Sequence, residues 1–372
     1  MYPVKVNPFG TFLAATLTLI TVSDGVGSAA SPSRCAEEKI VFTKADPANP
    51  FETAEIYIMN PDGSESIRLT YDAVADTLPS LSPDGKGKIV FDSNRTVVAL
   101  GEPVTSTNSH LFLMNADGTS DTGIFPTPLN LLGSSATWSP DGKRIAFHRS
   151  RSGFGARIPG RNEPGGPTRD SDIFVVNVDD LLAHGEAPTN ITETFEGHSD
   201  DDADWSPNGD KIAFTSRNSA CGPRPPLTAA QAAAECQAAA EIWVMNADGT
   251  DRKQLTNNSL EERSPDWSPD GTKILYLCRL TPGTPFEICV MNSDGTGHEV
   301  LTDNAVPDLT SSWSPDGTRI AFTRGIGGQQ QNYVMNYAAD ENGGRNVVQL
   351  TDLPTISLFP NWGTVAVGCR VR

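Results

Sequence analysis

Short apolar runs recur along the 372 residues of this chain, and polar turn residues separate each run from the next. One kind of run directly follows a turn and is rich in β-branched and aromatic residues, as in Arg144–Phe147 and Lys211–Phe214. A second kind comes later in each unit, as in Glu55–Asn60 and Glu241–Asn246, and ends at an Asp-Gly turn. Short runs of this composition between turn signals are typical of β-strands. The pattern therefore predicts an all-β protein.

The turn before the first kind of run has the sequence Ser-Pro-Asp-Gly and recurs at intervals of roughly fifty residues. Proline presets its φ angle, aspartate accepts hydrogen bonds from nearby backbone N–H groups, and glycine adopts the left-handed conformation without steric cost. Each copy therefore marks a reversal of the chain. The copies, each with the residue in front of it, are Leu81–Gly85, Trp138–Gly142, Trp205–Gly209 (with Asn208 in place of aspartate), Trp267–Gly271, Trp313–Gly317 and the degenerate Asn361–Gly363.

Each unit is predicted to contain four strands, since a segment before the turn and a closing segment that ends in Leu-Thr, such as Leu69-Thr70, complete it. Repeats of this length with four antiparallel strands are typical of β-propellers, in which small sheets pack radially around a central channel. We therefore predict a six-bladed β-propeller. The second strands that mark the blades contain Ile40, Ile89, Ile145, Ile212, Ile274 and Ile320.

The two ends of the chain are predicted to share one blade. The chain enters at a second strand, Lys39–Thr43, and its last turn-preceding segment, Leu358–Trp362, is a first strand without a blade of its own. Pairing of these two segments closes the ring. Residues Thr364–Gly368 resemble a second strand, although the place of that strand is already taken.

Residues 1–30 are predicted to form a signal peptide, and residues 31–372 the propeller. The first segment combines a lysine, an apolar stretch from Phe12 to Val22 and small residues at positions 28–30. The apolar stretch is too short to span a membrane, and no other stretch is long enough to do so. The residues before Cys35 do not suit a lipid-attachment site. We therefore expect a free protein that is secreted or periplasmic, in the cell envelope.

Six cysteines in an exported chain indicate disulfide bonds, whose connectivity the sequence alone does not fix. The predicted register favours one scheme. The alternative is metal binding by the thiols, which irregular spacings and the absence of accompanying histidines disfavour. The favoured pairs are Cys278 with Cys289 across one hairpin, Cys221 with Cys236 around an insertion, and Cys35 with Cys369 at the ring closure.

The formal net charge of −18 argues against nucleic acid and anionic membrane surfaces as partners. A hydrophobic fraction of 37% fits a β-rich protein with a large core. The sequence does not indicate the oligomeric state.

The repeated W-S-P-D-G-x-x-I-A-F motif, followed by I-x-V-M-N-x-D-G and L-T, resembles the TolB-like branch of WD-type β-propellers over nearly all of residues 38–363. The resemblance implies the fold, but similar blades occur in envelope scaffold proteins, in prolyl oligopeptidase-like peptidases and in some polysaccharide lyases. Full-length TolB has an additional α/β domain, for which the sequence offers no room before Lys39. The peptidases have a G-x-S-x-G nucleophile motif, which this chain lacks.

A dense acidic segment precedes Trp205 and is the main candidate for a ligand site; it contains His198, Asp200, Asp201, Asp202 and Asp204. The segment before a first strand is expected to lie near the mouth of the channel. The position five residues before the repeat aromatic also carries Asp76, Glu262 and Asp308, so a partial acidic ring is predicted. Oxygen ligands of this kind suit Ca²⁺, which Asp200, Asp202 and Asp204 are predicted to bind. The alternative is that these acids cap turns and remain solvated.

Three functions follow from these observations. The first is a non-enzymatic scaffold that presents the channel mouth and loops to a protein or small ligand. The second is a metal-dependent lyase or hydrolase that acts on a saccharide, with His198 and the acidic segment as metal ligands. The third is a structural component of the cell envelope. No catalytic residues are assigned, because the five histidines are scattered and no catalytic group of residues stands out.

Overall fold

The computed structural model describes residues 34–50, 52–95, 97–99, 102–104, 110–120, 122–123, 133–150, 171–193, 198–218, 240–258, 260–325 and 329–368. Within these ranges the chain forms short β-strands and one short helix, α1, Val178–His184. The signal peptide predicted over residues 1–30 lies outside the described residues.

The strands follow one another in a regular order along the chain. The first half contains β1 Arg34–Ala45, β2 Glu55–Met59, β3 Ile67–Arg68, β4 Asp76–Leu81, β5 Lys88–Ser93, β6 Val97–Ala99, β7 Glu102–Val104, β8 His110–Asn115, β9 Thr122–Gly123, β10 Ser134–Trp138, β11 Arg144–Ser150, β12 Ser171–Asn177 and β13 Thr189–Asn190. The second half contains β14 His198–Trp205, β15 Lys211–Asn218, β16 Ala240–Asn246, β17 Lys253–Gln254, β18 Glu262–Trp267, β19 Lys273–Arg279, β20 Phe286–Asn292, β21 Glu299–Val300, β22 Asp308–Trp313, β23 Arg319–Arg324, β24 Gln331–Asn336, β25 Val348–Gln349 and β26 Ile356–Gly368.

These strands form six four-stranded antiparallel sheets, which confirms the predicted six-bladed β-propeller. The small hairpin β6–β7 stands apart from the blades. From the innermost to the outermost strand, the blades are I (β26-β1-β2-β3), II (β4-β5-β8-β9), III (β10-β11-β12-β13), IV (β14-β15-β16-β17), V (β18-β19-β20-β21) and VI (β22-β23-β24-β25).

Blade I joins the two ends of the described chain, as the sequence predicts. Strand β26 pairs antiparallel with β1, from Arg34 opposite Gly368 to Ala45 opposite Ile356. The predicted reversal at the degenerate copy Asn361–Gly363 is wrong, because this copy lacks the Ser-Pro-Asp-Gly turn residues and β26 continues straight through it. Residues 364–368 therefore prolong β26 and do not form a second strand. This extension reaches the neighbouring blade, where Val365 bridges Lys86.

The hydrophobic core lies between the blades. Each of the six main buried clusters joins side chains from two neighbouring blades, for example Val90 of blade II with Phe147 of blade III. The tryptophans in front of the turns belong to these clusters, and Trp138 Nε1 also donates to the Ser80 carbonyl of the preceding blade at 3.1 Å. The innermost strands contact one another around the whole ring, so the sheets enclose a channel.

The Ser-Pro-Asp-Gly turns are held by their own side chains. In blade III, Ser139 Oγ donates to Asp141 Oδ1 at 2.6 Å and accepts from the Arg144 N–H at 2.9 Å. The Gly142 N–H closes the turn on the Ser139 carbonyl at 2.8 Å, with Gly142 at φ +65°. The hydrogen bond from Ser139 holds the pKa of Asp141 below its usual range. These turn aspartates are therefore structural.

One of the three predicted disulfides lies within the described side chains. Cys278 of β19 is bonded to Cys289 of β20, with their Cα atoms 5.9 Å apart. Cys221, Cys236 and Cys369 lie outside the described residues, and of Cys35 only the backbone, in β1, is described. Among the described helices, none has the length and apolarity to cross a membrane.

Candidate functional site

Each innermost strand contains a β-bulge three residues before its repeat aromatic or leucine. The residue at this position has a left-handed backbone conformation, with φ between 35° and 54°, although it is never glycine. A bulge leaves its residues outside the regular pairing and changes the direction in which side chains point. The six bulge residues are Leu78, Ser135, Asp202, Ser264, Thr310 and Phe359.

The bulges line a cavity of about 160 Å³ in the channel, and every blade contributes to its wall. Blades I and II contribute Leu78 and Phe359 together with the adjacent prolines, whereas blades IV and V contribute Asp202, Asp204 and Asp266. Since blade I faces blade IV and blade II faces blade V across a ring of six, Leu78 and Phe359 lie on the side opposite the three carboxylates. Ser80 and Asn361 add polar groups to that side.

The residue directly before each repeat aromatic or leucine links neighbouring blades. Asp204 accepts from the Trp267 N–H at 2.8 Å, and Asp266 accepts from the Trp313 N–H at 2.9 Å. In the same way, Ser312 Oγ accepts from the Trp362 N–H at 3.1 Å, and Asn361 Oδ1 accepts from the Leu81 N–H at 2.8 Å. These hydrogen bonds form an interblade belt, which fixes the innermost strands around the channel.

The acidic side of the channel differs from the site that the sequence predicts. Asp202 and Asp204 belong to the predicted segment, and Asp204 is held on its other side by Thr137 Oγ1 at 3.2 Å. Asp266 was not predicted, although an acid directly before the tryptophan in two successive repeats is a visible signal. Burial raises the pKa of both Asp204 and Asp266, and the nearby charge of Asp204 raises that of Asp266 further.

The predicted acids five positions before the repeat aromatic lie outside the channel cavity. Asp76 and Asp308 are fully buried at the start of β4 and β22. Asp308 forms a two-pronged ion pair with Arg324, at 2.6 Å to Nε and 2.8 Å to Nη2. Asp76 accepts from Arg95 Nη2 at 2.5 Å, and burial raises the pKa of Asp76 to about 6. These two carboxylates are paired within their own blades.

Asp200 and Glu262 occupy the same position in blades IV and V. Asp200 accepts from Ser216 Oγ at 2.6 Å, and burial raises its pKa to about 6. Glu262 accepts from the Asn258 amide at 2.7 Å. The acid next to Asp200, Asp201, is paired with Arg217 at 3.0 Å, so this side chain too is engaged beside the channel.

Arginines near the end of the second strand provide the counter-charges in four blades, and they were missed in the sequence. Their pairs with acids near the start of the first strand recur around the ring. Their signal was present, because each arginine follows the marker isoleucine of its blade by four to six residues. The pairs are Arg95 with Asp76, Arg217 with Asp201, Arg279 with Glu261, and Arg324 with Asp308.

The predicted calcium ligands do not share one environment. Asp200 lies in the interior of blade IV, Asp202 accepts from Ser264 Oγ of blade V at 3.0 Å, and Asp204 bridges three blades. In the described part of the chain, no three His, Cys, Asp or Glu side chains are grouped closely enough to hold a metal ion. His198 is in β14, and its side chain lies outside the described part.

Comparison with solved structures gives the same fold. TolB from Acinetobacter baumannii is 18% identical with a TM-score of 0.61, over 87% of this chain and 66% of that protein. The putative TolB from Agrobacterium tumefaciens is 18% identical with a TM-score of 0.55, over 91% of this chain and 100% of that protein. Hydrazine synthase from Kuenenia stuttgartiensis is 16% identical with a TM-score of 0.62, over 90% of this chain and 47% of that protein.

The sequence comparisons identify the repeat. No curated protein matches the chain significantly. The family described as PD40, TolB beta propeller domain, matches residues 237–352, which contain the third and fourth strands of blade IV and all of blades V and VI. The other blades repeat the same turns and strand order. The chain is therefore a six-bladed β-propeller built from TolB-like repeats.

Proposed function

We propose that the protein is an exported, non-enzymatic binding scaffold that presents one mouth of its channel, and the loops around that mouth, to a protein or small ligand. The observation that carries this proposal is the cavity of about 160 Å³ to which all six blades contribute. Concave surfaces with apolar walls and a few polar groups are the usual binding sites of proteins. A wall assembled from six strands can be altered residue by residue without a change of fold.

One mouth of the channel is better suited to a partner than the other. The opposite mouth is formed by the Ser-Pro-Asp-Gly turns, which are short and held by internal hydrogen bonds. The ends of the second strands and the starts of the third strands lie at the first mouth, and by residue count the segments that join them in blades II, III and IV are the longest connections in the sequence. Loops on a rigid scaffold carry binding functions more often than the scaffold itself.

The engaged carboxylates outside the cavity support a scaffold rather than an enzyme. Asp76 and Asp308 are paired with arginines, and Asp200 accepts from a serine. A general acid or base needs a position from which it reaches a substrate, and these side chains are buried within their blades. No second function is proposed, because no observation among the described residues favours one.

Site-specific photo-crosslinking in the host cell tests the scaffold proposal. A photo-reactive amino acid replaces Thr281, which is exposed in the loop between β19 and β20 at the first mouth. The matched control replaces Lys143, which is exposed in a turn at the opposite mouth. We expect a discrete crosslinked product from position 281 and not from 143. Equal products at both positions, or none at either, would contradict the proposal.

The proposed export depends on the signal-like start of the sequence and is supported by the disulfide between Cys278 and Cys289, since such bonds persist in oxidising compartments. Cell fractionation and N-terminal sequencing of the purified protein test it. We expect the protein in the periplasmic or secreted fraction, with a new N-terminus close to residue 31. A cytoplasmic protein that retains Met1 would refute export.

A further inference from the structure

The turn between β24 and β25 of blade VI differs in sequence from the equivalent turns of other blades. Its backbone is the same: the Gly343 N–H donates to the Asp340 carbonyl at 3.0 Å, and Gly343 has a φ of +82°, against +84° at Gly63 of blade I. The residue before the glycine is Asn342, whereas four other blades have an aspartate there. These aspartates are Asp62, Asp117, Asp248 and Asp294.

The side chain of Asn342 is exposed and has no hydrogen-bond partner in the described part of the chain. In the other four turns, the aspartate accepts from the N–H and the hydroxyl of the serine or threonine two positions later. In blade VI that position is Gly344, which has no hydroxyl, and its N–H donates to Asp340 Oδ1 at 2.7 Å instead. The amide group of Asn342 is therefore free to rotate.

The sequence contains one other Asn-Gly pair, Asn208-Gly209, in the first turn of blade IV. Its backbone is similar, since the Gly209 N–H donates to the Ser206 carbonyl at 2.8 Å with Gly209 at φ +75°. The side chain of Asn208, however, is held. Its Oδ1 accepts from Ser206 Oγ at 2.8 Å and from the Asp210 N–H at 3.2 Å, and its amide donates to Asp210 Oδ2 at 3.2 Å.

The chemistry of an Asn-Gly pair depends on this freedom of the side chain. The glycine nitrogen attacks Cγ of the asparagine, a C–N bond forms, the Cγ–Nδ2 bond breaks, and ammonia leaves with the proton of the glycine N–H. The resulting five-membered succinimide is opened by water at one of its two carbonyls, which gives aspartate or isoaspartate. Glycine has no Cβ to shield the attacking nitrogen. At Gly343 the space around it is open, because a Cβ there would meet nothing within 4 Å.

We propose that Asn342 is a site of spontaneous deamidation in the folded protein, and that its hydrogen bonds protect Asn208 from the same reaction. Conversion to aspartate gives blade VI the residue that the equivalent turns already have. Conversion to isoaspartate carries the main chain through the side chain and lengthens the turn. Either product adds a negative charge beside Asp340 and Glu341. The turn lies at the mouth opposite the one proposed to bind a partner, so this inference does not depend on the scaffold function.

Peptide mass spectrometry on the full chain tests the proposal after incubation of the folded protein in mildly alkaline buffer. Digestion at acidic pH prevents further reaction, and enzymatic methylation of isoaspartate identifies that product. We expect Asn342 to convert at least about tenfold faster than Asn208, since the hydrogen bonds of Asn208 must break before its side chain can rotate. Equal rates at the two positions, or no conversion at Asn342, would overturn the proposal.

Unfolding in urea separates the effect of the turns from that of the local sequence. Both side chains lose their folded environment there, so Asn208 and Asn342 should convert at similar rates. If the difference between the two positions persists in urea, the neighbouring residues cause it, and protection by the fold is refuted.

Two substitutions test the protection of Asn208 directly. Ser206→Ala removes the hydroxyl that donates to Asn208 Oδ1 and should speed the conversion of Asn208 severalfold, while the rate at Asn342 stays the same. If Ser206→Ala does not fold, Asp210→Ala replaces it, because Asp210 is exposed and its carboxylate accepts from the Asn208 amide. An unchanged rate at Asn208 in the folded variant would contradict the proposed protection.

Isoelectric focusing of the intact protein provides the control for Asn342. The unaltered protein should accumulate a more acidic species during the incubation, and Asn342→Gln should not. Equal amounts of the acidic species in both proteins would place the new charge at another residue and refute Asn342 as the site.

Discussion

Asp204 Oδ2 accepts a hydrogen bond of 2.8 Å from the backbone N–H of Trp267, which belongs to the next blade. The same carboxylate accepts from Thr137 of the preceding blade through its other oxygen. One side chain therefore joins three consecutive blades at the wall of the channel. The equivalent position in other blades makes similar hydrogen bonds. The interblade belt therefore joins neighbouring blades in addition to the hydrophobic contacts between them.

Substitution of Asp204 tests the contribution of this belt to stability. Asp204→Ala leaves the Trp267 N–H without its acceptor, which should cost about 1–3 kcal/mol in the free energy of unfolding. Asp204→Asn retains one carbonyl acceptor and should cost clearly less. Urea unfolding monitored by tryptophan fluorescence measures both values. Equal losses in the two variants would show that the carboxylate charge, rather than the hydrogen bond, stabilises the interface.

Gly249 is required by the close approach of blade III. It has a φ of +85°, and a Cβ atom at this position would collide with the backbone carbonyl of Ile191. Gly249→Ala should therefore cost about 2–4 kcal/mol, from backbone strain and overpacking together. Gly283 has nearly the same φ, +81°, but a Cβ there meets nothing within 4 Å.

Gly283→Ala is thus the matched control for Gly249→Ala, and it should cost only the strain of about 1 kcal/mol. Thermal unfolding followed by circular dichroism compares the two variants. Similar unfolding midpoints would mean that the Ile191 carbonyl moves aside at a small cost in free energy. The interface between blades III and IV would then not be closely packed.

The ion pair between Arg324 and Asp308 should be essential for blade VI. Asp308 is fully buried, so removal of its partner leaves an unpaired charge in the interior. Arg324→Ala should cost about 3 kcal/mol in chemical denaturation. Lys86 pairs with Asp84, but its side chain is 62% exposed, so the pair contributes little to stability. Lys86→Ala should therefore leave the unfolding midpoint nearly unchanged. Comparable losses in both variants would contradict the role of burial.

Stability should fall as the pH rises from about 4 to about 7. Asp92 is buried, with Ser134 Oγ as the donor to its carboxylate, and burial raises its pKa to about 7. The folded protein therefore retains a proton that the unfolded chain has released, so deprotonation penalises the folded state in this range. Asp92 alone accounts for up to about 4 kcal/mol, and Glu55, whose burial raises its pKa to about 7, acts in the same direction.

Asp92→Asn tests this pH dependence because it removes the titrating group at nearly constant volume. The free energy of unfolding between pH 4.5 and pH 8 should decline less in Asp92→Asn than in the unaltered protein. Asp303→Asn, at an exposed position, should retain the original slope. Parallel curves for all three proteins would show that Asp92 titrates normally.

The turn aspartates act at the other end of the pH scale. Hydrogen bonds from Ser139 to Asp141 and from Ser268 to Asp270 lower the pKa values of these two carboxyls. Their stabilisation is present above the unfolded pKa and is lost as the pH falls through the folded one. Together with the buried acids, they give a stability maximum in mildly acidic solution.

The acidic segment of blade IV shows why the candidate site was predicted only in part. Simple alternation along a strand places Asp200, Asp202 and Asp204 on one face. The bulge between Asp201 and Asp204 shifts the register, so that Asp202 and Asp204 line the channel while Asp200 turns to Ser216. The bulge has no clear sequence signal, because its left-handed residue is not glycine in any blade.

The sequence by itself determined the strands, the blade count and the closure of the ring. Turn chemistry and short apolar runs act locally, so the strands and turns of each repeat can be predicted from that repeat alone. The first strand of blade I is missing at the start of the chain and is found at its other end. The tertiary structure alone decided which carboxylates meet arginines and which face the channel. Contacts between blades join residues far apart in sequence, as Asn361 and Leu81 do across 280 positions. Within blade IV, the shift in register at the bulge decides which carboxylates face the channel.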